Sequence, residues 1–283
     1  MNYQFNGNLN KMYQFSKKRL EDLADKYRIN NIYKNYLATP QIETLNDMMR
    51  QCVISLQNRQ RVTNSIKFDK KETELKIILH NFDPHYICKE YSSGNEIFEK
   101  FEYTFGDTFN HSQNTWKNYA DYIYSAAIFL HQFDDLSAFK HFIDSFSANT
   151  YTKIALPLLL AEEIKGFGFA LACDCLKESG LIDCPKPDVH IIEIIKKTGK
   201  YILNNFYELT KQKKEQYYAY RVVIEMANKI GCTAYELDKI FWLICTENFY
   251  RKEDQPLQKQ QENRKRADKN REDFIEEFIK NIQ

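Results

Sequence analysis

Residues 164–191 read IKGFGFALACDCLKESGLIDCPKPDVHI, and their punctuation decides how the rest of the chain is read. Only 8 glycines occur in 283 residues, yet Gly166 and Gly168 stand two apart, between the helix-patterned runs YTKIALPLLLAEEI (151–164) and FALACDCLKESG (169–180). Glycine adopts backbone angles closed to other residues and lets a backbone or a ligand approach closely. A Gly-x-Gly turn between two such runs therefore fits a tight helical hairpin. The first N–H groups of its second helix have no partner within the helix, and the helix dipole adds partial positive charge there. A phosphate suits that position, with Lys165 beside it. Contact through main-chain amides would hold DNA without reading its sequence. A packed turn between helices needs the same residues, so the turn alone leaves both readings open. A dinucleotide-binding fingerprint does not fit, because the turn follows a helical pattern and lacks a third, correctly spaced glycine.

Composition points to an all-α protein. Glycine is well below its usual share of about 7%, and proline is equally sparse at 6 residues, so few positions break a helix. Helical patterns recur at 16–27, from Pro40 through ETLNDMMRQCVISLQNRQRV (43–62), at 82–91 with Asp83 before Pro84 as a start signal, and at 95–105. Further helices are expected at 115–133, at 137–146 and from Pro187 through PDVHIIEIIKKTG, with Gly180 and Gly199 at helix C-cap positions. Residues 66–80 alternate weakly and fit a strand or two turns of helix equally well. One domain is expected over 1–250, with the hairpin at 155–180. Residues 251–283 are nearly all charge and amide and read as a solvated helix or a disordered tail.

The net charge of +1 excludes a bulk polycation, so any DNA binding must come from local clustering. No apolar run reaches the roughly 20 residues of a membrane span, and the first residues lack a secretion signal's apolar core. A cytoplasmic location and no membrane partner are expected. Seven cysteines without a CxxC pair argue against a disulfide framework or a zinc site and read as small buried residues; no metal held by side chains is expected. Aromatic residues are abundant, with 19 Tyr and 20 Phe. Most fit a core, as does ELDKIFWLI (236–244), whose Asp238 and Lys239 read as exposed or capping groups.

The order and spacing of the hairpin, Gly180 and the acidic segment resemble the helix-hairpin-helix DNA glycosylase superfamily. Ile164, Gly166, Phe167, Gly168 and Ala172 match its hairpin, and Asp188, His190 and Ile191 match its acidic segment. The resemblance implies an all-α fold of two intertwined helical subdomains and an enzyme that flips a damaged or modified base out of duplex DNA and hydrolyses its N-glycosidic bond. The role would be DNA repair, or defence against phage DNA carrying modified bases. Lys165, Gly166, Phe167 and Gly168 would hold a DNA phosphate, and Asp188 would be catalytic. The helix-end motif VISLQNRQRV (53–62) would bring Gln57 and Asn58 to the DNA, while Trp116, Tyr119 and Tyr122 are candidates for the base pocket.

Asp188 is also a fitting N-cap for the helix after it. Where lyase members of the superfamily carry a Schiff-base lysine, this chain has Ala170, which implies a monofunctional enzyme that leaves an abasic site. The cysteines of the iron–sulfur members are missing as well, since only Cys232 and Cys245 lie beyond Cys184. The resemblance requires no cofactor and allows K+ or Na+ on hairpin carbonyls. A noncatalytic helix-hairpin-helix module that binds DNA is the alternative reading, with Asp188 then only a cap.

Overall fold

Thr44 shows how these helices begin. Its hydroxyl accepts the backbone N–H of Asp47, and the Asp47 carboxylate accepts the N–H of Thr44, a reciprocal cap that satisfies two donors left over at a helix start. The helix therefore begins at Leu45 and not at Pro40. Asn149 forms a reciprocal cap of the same kind with Thr152, and Asp83, Asp135, Asp188 and Thr233 cap their helices through the side chain alone. The computed structural model describes residues 3–59, 63–109, 112–211, 214–250 and 264–282. Among them every helix or strand segment is helical; the one β-type pairing is an isolated bridge between Phe5 and Leu203. The protein is all-α.

The chain starts with α1 (Asn8–Tyr27) and α2 (Ile32–Tyr36). It continues through α3 (Leu45–Gln57), α4 (Thr63–Ile66), α5 (Phe68–Ile78), α6 (Pro84–Glu90), α7 (Gly94–Phe105), α8 (Gln113–Leu130), α9 (Leu136–Asp144), α10 (Thr150–Glu163) and α11 (Phe169–Glu178). It ends with α12 (Val189–Ile202), α13 (Phe206–Thr210), α14 (Glu215–Ile230), α15 (Ala234–Thr246) and α16 (Arg264–Ile282). Two compact units result. One combines Met1–Thr39 with Ile182–Gln283, and the other is Pro40–Leu181. The weakly patterned stretch 66–80 resolves as α5, with Phe68 and Leu75 buried.

In the 40–181 unit, α8 is the central element, packed against α3, α6 and α7. Trp116 and Tyr119 of α8 are fully buried with Phe101, Phe105 and Phe109, and the Tyr119 hydroxyl donates to the carbonyl of Val53 on α3 (2.8 Å). Gly94 lets α7 approach α8 closely, since a Cβ there would lie 2.6 Å from Asp121 Cα.

The other unit is built from both ends of the chain. Here α15 is the most apolar element, and α1, α12, α14 and α16 pack around it. Asp238 and Lys239, expected as exposed or capping groups, are buried, because α15 is covered on nearly all sides. Gly199 lies inside α12 and not at its end; a Cβ there would collide with the Phe206 ring, so the glycine serves packing. The charged C-terminal segment is also more ordered than its composition suggests. In α16, Arg271, Phe274, Ile275 and Phe278 follow helical spacing onto one face and are buried, which corrects the expectation of a solvated helix. Burying each phenylalanine stabilises the unit by roughly 1.5–3 kcal/mol. Residues 251–263, also part of that expectation, lie outside the described residues.

Candidate functional site

The hairpin forms with Gly166 as its required residue. α10 ends at Glu163 and α11 begins at Phe169. Between them, Gly166 adopts φ +88°, a left-handed conformation in which a side chain is strained. Space forbids a side chain as well, since a Cβ would lie 2.5 Å from the Tyr122 ring. Phe167 turns inward and is buried, its N–H bonded to the carbonyl of Ile164 (3.2 Å). Ser125 of α8 accepts the Lys165 N–H (2.9 Å) and donates to the carbonyl of Glu163 (3.3 Å), which ties the turn to the scaffold.

Gly168 differs from Gly166. Its φ of −111° suits any residue, and a Cβ there would meet nothing within 4 Å. It is the N-cap of α11, yet no side chain caps the helix from it. Neither backbone geometry nor packing within the unit demands glycine here. A close approach from outside the chain would.

Asp188 lies in the other unit, at the start of α12. One carboxylate oxygen, Oδ1, accepts the N–H groups of His190 (2.9 Å) and Ile191 (3.1 Å), while Oδ2 has no hydrogen-bond partner among the described residues. The capping geometry thus holds one oxygen and leaves the other available. The preceding turn is fixed from the core: Asp238 accepts the Lys186 N–H, and the Lys186 carbonyl accepts the Asp188 N–H (2.8 Å). Burial, and then the negative charge of Asp188, push the Cys245 thiol well up, so that group stays neutral. His190 faces Arg271 of α16, Nδ1 to NH1 3.4 Å, in a structural setting.

Further along α15, Lys239 lies over the rings of Tyr235, Trp242 and Tyr250, at 5.6, 5.9 and 5.4 Å from their centroids. Tyr250 is 45% exposed. This half-open aromatic group belongs to the same unit as Asp188. Trp242 and Tyr250 could be named from the sequence as aromatic candidates, but the buried ammonium among them could not, since Lys239 carries no pattern of its own.

The other predicted positions fall in different settings. Trp116 and Tyr119 belong to the core and offer no face to a base, which corrects their assignment to a base pocket. Tyr122 is half-buried as the floor beneath Gly166. Gln57 is buried, its side-chain carbonyl accepting the Phe68 N–H (2.9 Å), and Asn58 donates to Asp174 of α11 (3.2 Å). Gln57 is thus held inside the unit, while Asn58 stays exposed and is tied to α11 by this bond. None of the seven cysteines is in a disulfide bond, and no group of three or more His, Cys, Asp or Glu among the described residues could hold a metal ion. No described helix is long and apolar enough to cross a membrane.

No protein family's sequence profile matches the chain, and no curated protein does. Among solved structures, it is similar to the 8-oxoguanine DNA glycosylase of Methanocaldococcus jannaschii, with 17% identity and a TM-score of 0.47 over 85% of this chain and 94% of that one. A second match is the 8-oxoguanine glycosylase/lyase of the same organism in complex with a 15mer DNA containing 8-oxoguanine, with 16% identity and a TM-score of 0.46 over 86% and 99% of the two chains.

Proposed function

We propose that this protein is a monofunctional DNA glycosylase, which flips a damaged or modified base from duplex DNA and hydrolyses its bond to the sugar. The observation that carries the reading is the state of Asp188: Oδ1 is fixed by two amides and Oδ2 is left open. Cleavage of a base–sugar bond develops positive charge on the deoxyribose. A carboxylate held in place can stabilise that charge or orient the attacking water without reorganising. The base must leave the stack for its bond to be reached.

The hairpin supplies the grip. The open start of α11 at Gly168, with Lys165 beside it, suits a DNA phosphate. The carbonyls of Lys165 and Gly166 accept no hydrogen bond among the described residues and would take the K+ or Na+ that the resemblance allows; no other cofactor enters the reading. Trp242 and Tyr250 offer ring faces to an unstacked base, each stacked face contributing about 1–3 kcal/mol. With Ala170 in the lyase position, water is the nucleophile and an abasic site the product.

The test is incubation with duplexes carrying 8-oxoguanine, alkylated bases and phage-type modified cytosines, followed by electrophoresis with and without alkali. Breaks that need alkali support a monofunctional glycosylase and identify its substrate. Breaks without alkali would refute the monofunctional assignment. Tight binding with no base released from any duplex would favour a noncatalytic DNA-binding module.

A further inference from the structure

At the exposed end of α3, Arg59 donates from NH1 to the Tyr122 hydroxyl (2.5 Å), and its guanidinium carbon lies 5.0 Å from the centroid of the Tyr122 ring. The same ring closes the space beneath Gly166. One tyrosine therefore both shapes the hairpin turn and holds a cation beside it. From these contacts we infer that Arg59 is a second DNA-phosphate contact, oriented by Tyr122 next to the hairpin. The inference rests on the proposed DNA binding and adds a residue that the helix-end motif alone did not single out.

The neighbours of Arg59 make the assignment specific. Gln57 is buried and accepts the Phe68 N–H, and Asn58, though exposed, is bonded to Asp174. Arg59 has five N–H donors, and among the described residues one of them is engaged, with a neutral hydroxyl. No carboxylate forms an ion pair with it among the described residues. An exposed guanidinium held against a ring, with its remaining donors unengaged among the described residues, suits the planar, two-pronged recognition of a phosphate. An arginine serving only as a structural prop would be expected to have a carboxylate or several carbonyls around it. Tyr122 is a positioning residue in this arrangement, since it acts on DNA only through Arg59 and the turn.

The experiment measures affinity for a labelled duplex by fluorescence anisotropy across a salt series, using the full chain. Wild type is compared with Arg59→Ala, Arg59→Lys, Arg59→Glu and Tyr122→Phe, and a melting curve checks the folding of each. Losing one phosphate contact should lower the slope of log affinity against log salt by about 0.9 and weaken low-salt binding roughly tenfold or more. Arg59→Glu should weaken it further, and Arg59→Lys should keep the slope. Tyr122→Phe should also keep the slope but lose part of the affinity, because the guanidinium loses its tether. Unchanged binding by Arg59→Ala, or weaker binding with an unchanged slope, would overturn the inference while leaving the hairpin's role standing. A wild-type protein that binds no DNA would overturn the inference and the proposed function together.

Discussion

The Asp238 carboxylate accepts the backbone N–H of Lys186 from within the core of its unit, where Asp238 is 1% exposed. Lys186 in turn accepts the Asp188 N–H, so a buried side chain on α15 fixes the turn that delivers the candidate catalytic carboxylate. Replacing Asp238 by Ala leaves a main-chain donor without its partner and should cost about 1–3 kcal/mol in stability. Asp238→Asn keeps an acceptor oxygen and should recover most of that loss. If Asp238 acts by positioning, base release should fall in the alanine variant more than DNA affinity does, and the asparagine variant should restore it. Denaturant melts and single-turnover assays on the two variants check both expectations.

The two hairpin glycines should separate folding from binding. Gly166→Ala combines a positive φ with a collision at the Tyr122 ring, and should destabilise the protein by about 1–3 kcal/mol or more. Gly168→Ala has an ordinary φ and open space, so stability should change by no more than about 0.5 kcal/mol. Its methyl group would nevertheless obstruct a phosphate at the start of α11, and duplex affinity should fall. Thermal melts and anisotropy titrations on the same two variants supply the comparison. Full affinity in a well-folded Gly168→Ala protein would argue against a phosphate at this turn.

Acid stability should depend on Glu247. Burial alone would raise its carboxyl, but the hydrogen bond from Tyr27 and the charges of Lys26 and Arg266 outweigh burial and hold it below the ordinary value. A folded-state pKa below the unfolded one stabilises the protein above the unfolded value, about 4.3 for Glu, and that stability is lost as pH falls through the folded value. The melting temperature of Glu247→Gln should therefore lie below wild type near pH 6, and the gap should narrow as pH falls below about 4.3. Melts between pH 6 and 3 test this. A gap of constant size would mean that the ionised carboxylate is not the stabilising species.

Residues 164–191 carried much of this in the sequence, because glycine spacing and a capping acid leave local signatures. Gly166 answers a left-handed backbone requirement and Asp188 a capping one, whereas Gly168 stands out only by its spacing from Gly166. The burial of Asp238 and Lys239 was not legible, since it depends on α1, α12, α14 and α16 covering α15 from distant parts of the chain. The apolar face of α16 was legible in part: Phe274, Ile275 and Phe278 have helical spacing, but the surrounding charges mask it when composition is averaged. Trp116 and Tyr119 misled because a buried ring and a stacking ring look alike in sequence. Arg59 was hidden for another reason, as its neighbours in the motif drew the assignment and only tertiary contacts show that they are engaged.

Single-turnover base release by Asp188→Asn, with duplex affinity measured on the same protein, tests the central claim most directly. Asparagine is as good a helix cap as aspartate, so folding should be preserved. On a duplex that the wild type cleaves, the account predicts wild-type affinity and base release reduced by at least about a hundredfold, in line with the loss of a preorganised electrostatic group. Base release at the wild-type rate would contradict it and reduce Asp188 to the cap of α12.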